Sequence, residues 1–187
     1  EPSQIAVRLA EGVSAVKSAT VFCKGTKTSP DLAAFANGVM IRYMDFNDAY
    51  IAAGSGHPSD TIGALLPIAE VTGASGRDLI LATVLAYEVY CKVCDVFNYA
   101  DQNMDYATVG GYAGMVGASR LMGLTREQMV HAISLSVANC AAVAQTRRGV
   151  LSNWKACSCA EASRKGIFLA QLAQAGMTGP AQVFEGP

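Results

Sequence analysis

Arg42-Tyr43-Met44-Asp45-Phe46-Asn47-Asp48-Ala49-Tyr50-Ile51-Ala52-Ala53-Gly54-Ser55-Gly56-His57-Pro58-Ser59-Asp60 is the stretch around which the chain is organised. It gathers carboxylates, an amide, tyrosines and one of only 2 histidines within twenty residues. Upstream, the apolar and small residues of Leu32 to Met44 recur at helical intervals. This spacing predicts a helix with Asp45 and Asp48 on one face near its C-terminal end. Two acids at that end oppose the helix dipole, which marks them as candidates for chemistry. Gly54-Ser55-Gly56 then reads as a turn that frees the backbone, and Pro58 steers His57 away from helical geometry. A helix end feeding a glycine turn builds the rim of a pocket.

Working outward, the pattern stays helical. Ser3 to Ala15 places Ile5, Leu9 and Val13 on one face, and Ala19 to Cys23 is briefly extended before the Lys24-Gly25-Thr26 turn. Ser29-Pro30-Asp31 is a helix start, with an N-cap, a proline at the first position and an acid in the first turn. Ser59 and Asp60 are read as caps for a helix that contains Pro67 and closes near Gly73. Ser75 to Asp78 opens a helix reaching about Asp95, apolar all round and therefore expected to be central. Phe97 to Tyr106 is a polar loop. Gly110, Gly114 and Gly117 share a face of the next helix, where they allow another helix to approach closely. Thr125-Arg126-Glu127-Gln128 is a capping box for a helix through Ala141, and a final helix runs from about Cys157 to Ala175. The expected fold is all-α, a domain of about seven helices over residues 1–187 with almost no strand signal.

Composition narrows the function. A 51% hydrophobic, 16% charged chain of 187 residues can bury a sizeable core. A formal charge of -1 without a long basic run speaks against nucleic acid as a partner. No apolar run approaches a membrane span, so no membrane partner is expected. The 6 cysteines do not form a disulfide framework: Cys91 and Cys94, and Cys157 and Cys159, sit too close along helices. They read as reduced thiols in an intracellular protein, and no metal is expected. GxGxxG and Gly-x-Ser-x-Gly patterns are both absent. His131 reads as a structural or surface histidine.

Three polar groups remain as candidates: Asp45, Asn47, Asp48, Tyr50 and His57; Asn98 to Asp105; and Arg147, Arg148 and Lys155. Arginine and lysine neutralise carboxylates, while an imidazole or an aspartate moves a proton on the carbon beside one. The combination suits a small anionic substrate and proton chemistry without a cofactor. Taken alone, Arg147 and Arg148 read as a solvated loop.

The Tyr43-Met44-Asp45-Phe46-Asn47-Asp48 core and the Gly56-His57-Pro58-Ser59-Asp60 end closely resemble the MmgE/PrpD family. So do Thr28-Ser29-Pro30 with Ala36-Asn37-Gly38, the Leu121 to Thr125 turn, Trp154-Lys155, and Gly176 to Pro180. The resemblance covers nearly the whole chain. It implies a helical domain of a longer two-domain enzyme, completed by an α/β lid domain and preceded by further helical sequence. Asp45, His57 and Lys155 match active-site positions of the decarboxylase branch and are the expected catalytic residues. Asp48, Asp105, Arg147 and Arg148 are the expected substrate-binding residues. Ala49 stands where threonine is frequent, and Met104-Asp105-Tyr106 stands where many members place a histidine. The missing histidine speaks against decarboxylation, and the longer Asp45-Phe46-Asn47-Asp48 and Gly56-His57-Pro58-Ser59-Asp60 wording, together with Asp105, leans towards dehydration of a 2-methylcitrate-like tricarboxylate in propionate metabolism. Decarboxylation or isomerisation of a cis-aconitate-like acid stays open, as does a helical assembly module without catalysis. A homodimer is expected, in the cytoplasm, or in the mitochondrial matrix of a eukaryote.

Overall fold

A computed structural model describes residues 2–185. Among them are seven α-helices: α1 (Pro2–Glu11), α2 (Pro30–Tyr43), α3 (Ile62–Thr72), α4 (Gly76–Val96), α5 (Ala107–Leu121), α6 (Arg126–Asn139) and α7 (Trp154–Gln174). Two small hairpins interrupt them, β1 (Ala19–Thr20) with β2 (Lys27–Thr28) and β3 (Tyr50–Ile51) with β4 (Ser55–Gly56). The all-α expectation and the helix count agree with the structure. Both capping boxes form: Ser75 and Asp78 exchange bonds at the start of α4, as do Thr125 and Gln128 at α6.

Side-chain size decides what lies at the centre. In α5, 13 of 15 residues are buried, most of them Gly, Ala or Ser, so α3, α4, α6 and α7 can close around it. A Cβ on Gly117 would stand 2.6 Å from Leu65 Cδ2 and 3.0 Å from the Ala82 carbonyl, and one on Gly111 would stand 3.2 Å from Ala162 Cβ. The glycine face is therefore a packing surface on three sides. The expected central helix, α4, is peripheral. Its buried stripe is Ala82, Ala86, Tyr90 and Cys94, an i+4 series, while Ile80, Leu81 and Val84 face outward. All-round apolarity there reflects one buried stripe plus an uncovered one.

Three further corrections concern the organising stretch. Helix α2 stops at Tyr43 and Asp45 takes a left-handed backbone, φ 60°, so Asp45 and Asp48 do not share a helix face. A short polar side chain is among the few that tolerate this conformation. The glycines of Gly54-Ser55-Gly56 are required by crowding rather than by backbone freedom. A Cβ on Gly54 would lie 2.6 Å from the Phe97 carbonyl, and one on Gly56 would collide with Tyr90 Oη. Ser59 and Asp60 do not cap α3; they lie in a single 3-10 turn, Pro58–Thr61, where Asp60 is buried. All six cysteines are free, four of them buried. Among the described residues, no helix is long and apolar enough to cross a membrane, and no cluster of His, Cys, Asp or Glu could hold a metal ion.

Candidate active site

Arg42 is the hub. It sits in the last turn of α2, only 4% exposed, because the helix passes under the loop it leads into. Its Nε and Nη2 donate to Tyr106 Oη at 3.0 and 2.8 Å, and its Nη1 pairs with Asp45 Oδ1 and reaches Asn47 Oδ1 at 3.3 Å. Burial works against the Arg42 charge, but Tyr106 and Asp45 more than compensate and hold the guanidinium protonated.

The left-handed turn at Asp45 presents its second oxygen to another helix. Lys155 Nζ, in the first turn of α7, donates to Asp45 Oδ2 at 2.8 Å. Hydrogen bonds from Lys155 and then Arg42 pull the Asp45 carboxyl down to about 2. A group so acidic is ionised at neutral pH and cannot serve there as a proton donor. Arg42, Asp45 and Lys155 line a cleft of about 130 Å³ together with Ser152 and Asn153.

His57 does not line that cleft; Tyr106 stands between it and Arg42. Its ring lies edge-on to Tyr106, with centroids 5.1 Å apart. Its Nδ1 is 2.6 Å from the Asp48 carbonyl oxygen, which can only accept, so Nδ1 is the donor and, in the neutral imidazole, Nε2 is the nitrogen with the free lone pair. This is the tautomer a general base needs. The Asp48 carboxylate itself accepts from the Ser59 amide at 3.1 Å and shapes the loop around the imidazole.

The remaining expected residues divide. Arg147 reaches the cluster: its guanidinium carbon lies 4.0 Å over the Tyr106 ring, its Nε is 2.7 Å from Asp105 Oδ2, and its Nη1 donates to the Lys155 carbonyl at 3.1 Å. Asp105 is 3% exposed and also accepts from the Ala107 amide at 2.8 Å, so it ties Arg147 to the start of α5. Arg148 is not brought to the cluster; it is exposed and bonds Asn103 Oδ1 at 3.3 Å. Burial raises the Tyr106 hydroxyl well above the ordinary tyrosine range, so it stays a phenol between its two arginines.

The sequence reading missed Arg42, Asp60, Tyr106 and Cys159. Arg42 and Asp60 bounded the quoted stretch, but Arg42 was given no role of its own and Asp60 was read as a cap. Tyr106 and Cys159 gave no signal, because their roles depend on helices that meet only in the fold.

The MmgE/PrpD N-terminal domain matches residues 1–187. The chain belongs to the MmgE/PrpD family. Among curated relatives, it is 29% identical over 164 residues to a 2-methylcitrate dehydratase of Escherichia coli, covering 80% of this chain and 33% of that one. It is 35% identical over 122 residues to the alkylcitrate dehydratase phiI of a fungal species, covering 57% and 24%. With the mitochondrial 2-methylcitrate dehydratase of Yarrowia lipolytica it shares 30% over 140 residues, covering 65% and 27%. The MmgE/PrpD chain described here thus spans a third or less of the length of these relatives.

Proposed function

We propose that this chain carries part of the active site of a carbon-oxygen lyase that removes water from a small tricarboxylate of the 2-methylcitrate type. The observation that carries the reading is the convergence of Lys155 and Arg42 on Asp45 at an open cleft. Two cations share one half-exposed carboxylate there, and a substrate carboxylate can take the place of water beside it. Similarity to proteins named 2-methylcitrate and alkylcitrate dehydratase supports the substrate class.

In this reading Lys155 and Arg42 anchor carboxylates and Asp45 holds the two cations in register, while Arg147 stiffens the floor through Tyr106. Nε2 of His57 takes the proton from the carbon beside a carboxylate. The C–H electron pair becomes the new C=C bond as the C–O bond breaks. The imidazolium returns its proton to the departing hydroxide, so water leaves and the enzyme ends as it began. No step calls for a redox or metal cofactor.

A second domain closing on the cleft fits the same reading. Tyr43, Met44, Phe46, Val150, Leu151 and Trp154 are all exposed, and they flank or line the cleft in sequence. Large exposed apolar side chains concentrated around a polar cleft suit a covering surface. The bare face of α4 with Ile80, Leu81 and Val84 suits a second subunit.

The test is product analysis with the intact protein. Incubation with 2-methylcitrate should yield an unsaturated tricarboxylate and water. Release of carbon dioxide from cis-aconitate, with no dehydration of 2-methylcitrate, would move the site to the decarboxylase alternative. Inertness towards both acids in the folded protein would leave the helical assembly module.

A further inference from the structure

Asp60 is 3% exposed, and its Oδ2 has no hydrogen-bond partner. Its Oδ1 receives only a long bond from Asn47 Nδ2, 3.3 Å, and its nearest cation is Arg42 Nε, 3.9 Å from Oδ2. A buried carboxylate held so loosely is unfavourable in its charged form. Groups from every surrounding element face it: Arg42 of α2, His57, Tyr87 and Tyr90 of α4, Tyr106 of α5, Arg147, and the Cys159 thiol of α7. Burial pushes the Asp60 carboxyl up to about 6, against the opposing pull of the Cys159 thiol and of Arg42, His57 and Arg147.

Charge counting shows what a proton there changes. Arg42, Arg147 and Lys155 contribute three positive charges and Asp45, Asp105 and Asp60 three negative ones. With Asp60 ionised the cluster is balanced, and with Asp60 protonated it carries one surplus positive charge centred on Arg42. That surplus is what a bound carboxylate would neutralise.

We propose that Asp60 is a positioning residue of this site, whose gain or loss of one proton sets how much of the Arg42 charge is left for an anion in the cleft. The inference rests on the anion-binding reading of the cleft and adds a control to it. Asp60 need not touch the substrate; it acts through Arg42, and Tyr106 transmits any movement of the guanidinium towards His57.

The test uses the intact protein and oxalate, which stays a dianion between about pH 5 and 8, so that the probe's own titration does not enter. Working in the His57→Gln background takes the imidazole out of the comparison. Calorimetry should show oxalate affinity falling by roughly tenfold as pH rises through the Asp60 transition. Asp60→Asn, neutral at every pH, should bind with the low-pH affinity throughout. An Asp60→Asn protein that keeps the full pH dependence would overturn the proposal. Side-chain nitrogen NMR of Arg42 in the unsubstituted protein gives an independent answer: its Nε signal should titrate together with the Asp60 carboxyl carbon. A static Arg42 signal would overturn the proposal even if the variant misfolds. Absence of oxalate binding at every pH would instead remove the anion-binding reading, with the Arg42 signal still deciding the coupling to Asp60.

Discussion

Lys155 Nζ lies 2.8 Å from Asp45 Oδ2, joining the start of α7 to the end of α2 across 110 residues. The link also brings Arg42 to the other oxygen of the same carboxylate, so a single acid organises two cations. Because that acid is ionised, its part in the account is electrostatic, and proton transfer falls to His57.

The Asp45 pair should leave a signature in acid. Its carboxyl has a lower pKa folded, about 2, than the ordinary 3.8, so its contribution to stability is full above about pH 4 and is lost as pH falls through 2. Asp45 and Lys155 are 49% and 36% exposed, so solvent screening limits the effect to about 1 kcal/mol or less. Asp45→Asn should unfold in acid with a shallower pH dependence than the unsubstituted protein. Superimposable acid-unfolding curves would show that the pair contributes nothing.

Asp60 predicts the opposite slope. An acid whose pKa rises from 3.8 to about 6 on folding binds its proton more tightly in the folded state, so stability falls as pH climbs between those values. At pH 7 to 8 the cost of keeping it ionised is roughly 3 kcal/mol at most. Asp60→Asn should therefore gain on the unsubstituted protein as pH rises from about 4 to 7 in chemical denaturation. A variant that is equally destabilised at every pH would mean that packing, not ionisation, governs the position.

Helix packing can be tested with two alanines. A Cβ at Gly63 would stand 2.7 Å from Gly38 Cα, backbone that cannot move aside, whereas at Gly110 the nearest atom is Tyr90 Cε2, 3.8 Å away. Gly110→Ala should be neutral or stabilising by up to about 1 kcal/mol through helix propensity. Gly63→Ala should cost about 1–3 kcal/mol or more. Equal denaturation midpoints for the two variants would contradict the close crossing of α2 and α3.

Local signals carried much of this architecture. Ser29-Pro30, the two capping boxes and the 3.6-residue periodicity each act within a turn or two, and they placed the helices to within a few residues, although α1 ends at Glu11 rather than Ala15 and α3 starts without Ser59 or Asp60 as a cap. What the chain did not announce was which apolar helix lies innermost, because that depends on the small residues of α5 meeting those of α7. The site was legible to the same degree. Asp45, His57 and Lys155 drew notice as chemistry and as a family motif, whereas Asp60 was taken for a surface cap and proved to be a buried acid. Arg147 and Arg148 are adjacent and alike in sequence, and only the fold turns one onto Tyr106 and the other towards Asn103.

Lys155→Met should separate anchoring from chemistry. It removes a cation that faces the cleft and leaves Asp45 paired with Arg42, so the fold should persist while KM for a tricarboxylate rises by roughly tenfold or more. Unchanged KM with a folded protein would place the substrate carboxylates elsewhere.

The most direct test of the account is the turnover of His57→Gln with 2-methylcitrate, followed as formation of the unsaturated product and paired with circular dichroism to establish folding. The glutamine preserves a side-chain amide but supplies no base, so kcat should fall by about a hundredfold or more while the fold is retained. Near-normal turnover by the folded variant would take His57 out of the proton transfer and contradict the mechanism.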